Sequence, residues 1–130
     1  MNKLFAAALD LQTFCRGHGW RFCFIDDIAV QRWGEPRFTK GADLTLLSGF
    51  GGEEKYIDLL LAEYQARRSD LREFALRQRV LLLQHPNGIP LDVALGALPF
   101  EENSVGRASL WQTQSGDELV TCNAEDLNCA

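Results

Sequence analysis

The stretch Phe24–Leu47, FIDDIAVQRWGEPRFTKGADLTLL, decides the fold. Its start completes an apolar run of strand length, Phe22–Ile25. Ile28, Ala29 and Trp33 follow at helical intervals, with Trp33 read as part of a core-facing side, and Gly34 and Pro36 end that periodicity. Ala42–Leu47 then alternates in the manner of a second strand. Acids stand at the joints: Asp26 and Asp27 where strand becomes helix, and Asp43 between Ala42 and Leu44. Either member of the Asp26–Asp27 pair is placed to cap the helix, a contribution of about 1 kcal/mol.

Outward from this unit the periodicities continue. Residues 3–16 put Leu4, Phe5, Ala8, Leu9, Leu11 and Cys15 on one side of a helix that stops near Gly17 and Gly19. Ser48–Gly52 reads as a loop, and Glu53–Ala66 as a helix packed through Ile57, Leu60, Leu61 and Tyr64. Phe74–Gln84 and Ile89–Leu95 flank His85-Pro-Asn-Gly88, and Asn-Gly between apolar runs predicts a hairpin. Pro99–Ala108 reads as a short helix. Leu110–Gln114 and Glu118–Cys122 read as a second hairpin around Ser115-Gly116. Helix, strand, helix, strand, helix and hairpin in that order predict an α/β (α+β) fold, a mixed sheet with helices packed on it.

The chain has 130 residues, 46% of them hydrophobic, so residues 1–130 are expected to form a single domain around one core. A net charge of −5 argues against wrapping nucleic acid through bulk charge. The one basic patch, Arg67, Arg68, Arg72, Arg77 and Arg79, is interleaved with Glu63, Asp70 and Glu73 and reads as a solvated, partly self-neutralised face, with a phosphate-contacting surface as the alternative. The four cysteines show no CxxC pairing and no histidines at zinc-like spacing. With no signal-length or membrane-length apolar run, free thiols in a cytoplasmic protein are the expectation, with no membrane partner. Gly49, Gly51 and Gly52 lack the following Gly-Lys-Ser/Thr of a phosphate loop. His18 and His85 fall in turns with no nucleophile pattern beside them.

Asp92 repeats the puzzle of Asp43. It lies in IPLDVAL, another apolar strand run, where a charge is costly to bury unless it is paired or bound to a metal. Two neighbouring strands, each carrying one carboxylate, would bring Asp43 and Asp92 together.

These runs, IAVQRWGEPRFTK followed by ADLTLL, and VLLLQHPNGIPLDVALGALPFE, resemble the nucleotidyltransferase fold of the AbiEii/AbiGii type, a group that includes abortive-infection toxins of toxin–antitoxin pairs. The resemblance implies a nucleotidyltransferase-like mixed sheet. It also implies three strand carboxylates holding Mg2+ against the triphosphate of an NTP, and a Gly-Gly pair at a helix N-terminus that lets the phosphates approach the backbone. The implied acceptor is RNA, often tRNA, or a protein hydroxyl. Carried over by position, Asp43 and Asp92 are the catalytic and metal-ligating carboxylates. Asp26 and Asp27 stand where the nucleotide-binding glycines belong, with Arg37, Thr39 and Lys40 as phosphate contacts.

The pattern is broken where it matters. Gly41 takes the place of the first carboxylate, and two negative charges take the place of the phosphate cradle. A like charge about 5 Å from a phosphate costs roughly 3 kcal/mol at an effective dielectric near 20. The expectation is therefore a catalytically weak or silent member acting as a binding or interaction module. The alternative is an active Mg2+-dependent enzyme in which Asp26 or Asp27 swings in as the missing ligand. Replacing Asp26 and Asp27 with glycine and Gly41 with aspartate is expected to restore nucleotide binding. Relatives of this type continue into further helices, so a homodimer that covers the exposed surface is expected.

Overall fold

A computed structural model describes residues 2–34 and 40–127. Helix α1 spans Lys3–Gly17 and opens on Asn2, whose side chain accepts the Phe5 N–H at 2.8 Å. Strand β1 (Phe22–Ile25) leads directly into α2 (Asp26–Trp33), and β2 covers Ala42–Leu47. Then come α3 (Glu53–Glu63), the two-residue strand β3 (Gln65–Ala66), α4 (Leu71–Gln78), β4 (Val80–Gln84), β5 (Pro90–Gly96), α5 (Pro99–Arg107), β6 (Ser109–Gln112) and β7 (Glu118–Thr121). A short 3-10 turn at Ala124–Asp126 follows.

The strands form one mixed sheet in the order β3-β4-β5-β2-β1-β7-β6. The pairs β2/β5 and β1/β7 are parallel, and the remaining neighbours are antiparallel. The expected α/β architecture holds, and both hairpins form at the expected turns. Around the first, the His85 N–H donates to the Ile89 carbonyl at 2.9 Å.

Period-two alternation sorts the sheet into two faces. On one, Phe22 and Phe24, Ala42, Leu44 and Leu46, Leu81 and Leu83, and Leu91, Val93 and Leu95 join Leu4, Leu11, Ile57, Leu60 and Leu71 of the helices in the main core. Gln12, buried in this core, is satisfied at the sheet: its Nε2 donates to the Glu118 carbonyl at 2.7 Å and its Oε1 accepts the Val120 N–H at 2.8 Å. On the other face a smaller cluster, Cys23, Ala29, Val105 and Cys122, lies under α2 and α5. Cover on this second face is incomplete, and the uncovered part carries the charged row described below.

Four sequence expectations change. Phe74–Gln78 belongs to α4 and not to a strand; Arg79, at φ 59°, ends that helix in the left-handed conformation and the hairpin strand starts only at Val80. The helix from Glu53 stops at Glu63, and Gln65–Ala66 instead adds an edge strand to β4. Neither Asp26 nor Asp27 caps α2: Ile25 holds the cap position without a side-chain bond, and both acids lie in the first turn. Trp33 is not core. It is 42% exposed, its Nε1 donates to the Cys122 carbonyl at 2.9 Å, and the Arg32 guanidinium lies 4.2 Å over its ring.

Candidate functional site

The register of β2 and β5 determines the site. Asp43 is the direct partner of Asp92 across the parallel pair, Ile25 faces Asp43 from β1, and Leu82 faces Asp92 from β4. Ile25, Asp43, Asp92 and Leu82 therefore form one row across four strands, on the face opposite the main core. The two carboxylates inferred from separate apolar runs are neighbours. They line a cleft of about 420 Å³ together with Asp27, Lys40, Gly41, Ala42 and Pro90.

Charge crowding sets the chemistry of the cleft. Partial burial, then Asp92, Asp26 and Asp27 in that order, push the Asp43 carboxyl from its ordinary 3.8 up to about 7, against a smaller opposing pull from Arg67. At neutral pH Asp43 is thus divided between acid and carboxylate. Such a group can hold or give up a proton, and it is a poorer anionic ligand than an ordinary aspartate.

Asp26 combines two features in one residue. It adopts φ 53°, the left-handed region that glycine enters freely and other residues enter at a cost. A backbone shape that suits glycine at this strand-to-helix junction thus carries a charged side chain. Asp27, the next residue, lines the cleft.

Gly41 departs from expectation in its cause. A Cβ built there lies 2.7 Å from the Pro90 carbonyl oxygen and 3.1 Å from the Pro90 Cβ. The neighbouring register, Ala42 opposite Leu91, holds these two backbones together. Position 41 has no room for a carboxylate unless the strand ends move. Gly41 is therefore more than the mere loss of a side chain, and the triple replacement expected to restore nucleotide binding meets this clash.

One residue of the site escaped the sequence reading. Arg67, grouped there with a solvated basic face, follows directly after β3; its N–H donates to the Leu82 carbonyl at 2.9 Å and its Nε to the Leu83 carbonyl at 2.8 Å. Its Nη2 makes an ion pair with Asp92 Oδ1. No local spacing signals this contact between residues 25 apart. Arg68, Arg72 and Arg79 follow the self-neutralised reading: Arg68 pairs with Asp70 at 2.8 Å, Arg72 with Asp58 at 2.9 Å and Glu54 at 3.0 Å, and Arg79 with Glu53 at 2.5 Å.

Of the expected phosphate contacts, Lys40 lines the cleft, whereas Arg37 and Thr39 lie outside the described residues. Among the described residues, no three Asp, Glu, His or Cys side chains are gathered so as to hold a metal ion. The donors at the cleft, Asp43 and Asp92 facing each other with Asp27 nearby, an arginine on Asp92 and no carboxylate at position 41, depart from the three-carboxylate magnesium centre implied by the resemblance. No helix of the described residues is long and apolar enough to cross a membrane. No protein-family model matches the chain, and no curated protein matches it.

Proposed function

We propose that the chain is a nucleotidyltransferase-like domain that has given up catalysis and works as a binding or interaction module. The observation that carries this reading is the wall at Gly41. The strand position needed for the first catalytic carboxylate faces the Pro90 carbonyl at a Cβ distance of 2.7 Å, so the missing ligand is a property of the backbone. Asp26 and Asp27 add negative charge where a triphosphate would rest, and Asp43 is only partly ionised at neutral pH. Each feature weakens magnesium–nucleotide binding, and they act in the same direction.

The module then works through a partner, with a protein of antitoxin type or a second copy of the chain as the readings that follow from the resemblance. The edge strand β6, with Leu110 exposed, supports self-association, because an open edge offers unpaired backbone groups.

One observation favours a second reading, an active enzyme moving a nucleoside monophosphate from an NTP to tRNA or a protein hydroxyl: Asp27 lines the same cleft as Asp43 and Asp92, so a third carboxylate is close at hand. Calorimetry with Mg2+ and each of the four NTPs separates the two. The silent module gives no binding heat; micromolar NTP binding by the natural chain overturns it.

A further inference from the structure

We infer that Arg67 is the resident counter-ion of the Asp43–Asp92 pair and does on Asp92 what a divalent cation does in metal-dependent centres. The inference rests on reading the cleft as the silent counterpart of a nucleotidyltransferase site. It starts from how firmly the guanidinium is placed. The β3–β4 pairing puts Ala66 opposite Leu83, and Arg67 follows at once. Its backbone N–H is fixed on the Leu82 carbonyl and its Nε on the Leu83 carbonyl, both on the strand that carries the neighbour of Asp92. The remaining reach of the side chain ends on Asp92 Oδ1.

Three physical consequences follow. An arginine cannot lose its charge in a protein, so this cation is permanent where a bound metal comes and goes. A divalent ion held by Asp43 and Asp92 would have a fixed positive charge for a neighbour, a repulsion that water at this partly exposed pair reduces and does not abolish. The second carboxylate, Asp43, is crowded by Asp92, Asp26 and Asp27, and Arg67 is the group that relieves it. Arg67 therefore offsets part of the negative charge of the cleft from within the chain, at the carboxylate a metal would need.

The test uses Mn2+ as a spectroscopic probe and a double-mutant cycle on the full chain. Electron paramagnetic resonance of the natural protein is expected to leave micromolar Mn2+ free. At pH 7.5 Arg67→Gln is expected to lower the melting temperature, and the Arg67→Gln, Asp92→Asn double variant to recover most of that loss, since the cation and its target leave together. Micromolar Mn2+ binding that disappears in Asp92→Asn overturns the inference, as do single-variant losses that simply add in the double variant. Failure here is distinct from failure of the silent-module reading. Mn2+ binding without nucleotide binding removes the role of Arg67 alone, whereas nucleotide binding with Mn2+ left free removes the silent reading alone.

Discussion

Asp43→Asn tests the electrostatics of the cleft directly, because it deletes a carboxyl whose ionisation the fold resists. Burial and the neighbouring acids raise that carboxyl from 3.8 to about 7 in the folded chain. A carboxyl with a raised folded-state pKa contributes its full stability below the unfolded value, near pH 4, and loses it as pH rises through about 7. Three pH units at about 1.36 kcal/mol each set a ceiling of about 4 kcal/mol. Asp43 is only partly buried and lines an open cleft, so screening by water brings the expected effect to about 2 kcal/mol.

Asparagine keeps the shape and has no proton to lose. The variant is thus expected to match the natural protein at pH 4 and to exceed it by about 2 kcal/mol at pH 8, or roughly 7 °C in melting temperature for a domain of this size. Urea unfolding of both proteins at intervals from pH 4 to 8.5 gives the difference curve. The reasoning fails if that difference is flat across the range, or if Asp43→Asn is the less stable protein at pH 8. A carbon-13 titration that places the Asp43 carboxyl below pH 5 refutes it independently.

Two further substitutions test the backbone features of the site. Gly41→Ala adds the single carbon that meets the Pro90 carbonyl at 2.7 Å, and it is expected to cost about 1–3 kcal/mol in chemical denaturation; a neutral result means that the ends of β2 and β5 shift freely and that position 41 is open to a carboxylate after all. Asp26→Gly relieves a left-handed backbone and removes a charge that disfavours ionised Asp43, so it is expected to stabilise the protein by about 1 kcal/mol at pH 8, with a smaller gain at pH 4; destabilisation at both pH values indicates instead that the Asp26 side chain holds the strand-to-helix junction.

The parts of this fold that could be read from the chain are those whose signals are local. β1 and β2 lie at Phe22–Ile25 and Ala42–Leu47 as read, because alternation and flanking polar residues mark them within a few positions. The strand expectation for Phe74–Gln78 fails for a local reason too: Phe74, Ala75 and Leu76 form an apolar run just before Val80–Leu83, and the helix that holds them ends on Arg79, where a glycine stop would be the signal. Asp43 and Asp92 were readable as two misfit charges. Their pairing is a matter of register, and register belongs to the sheet as a whole, not to either strand.

The same distinction explains why the cleft tolerates its charges. A carboxylate among apolar neighbours looks like a buried charge when a strand is read as one line of sequence. In the sheet, Leu91 and Val93 point into the main core while Asp92 points the other way, and the two helices on that side are packed near β1 and β2. The row holding Asp43 and Asp92 is therefore only partly covered, dry enough to hold the Asp43 carboxyl near its midpoint at neutral pH. Arg67 reaches this row from the edge of the sheet because the β3–β4 register sets it beside Leu82, the partner of Asp92: with one more residue before it, the guanidinium would fall opposite Leu81, and Asp92 would be left without it. Insertion of a residue between Ala66 and Arg67 is expected on these grounds to mimic the loss of the arginine in the thermal melt, with no change in side-chain composition at the cleft.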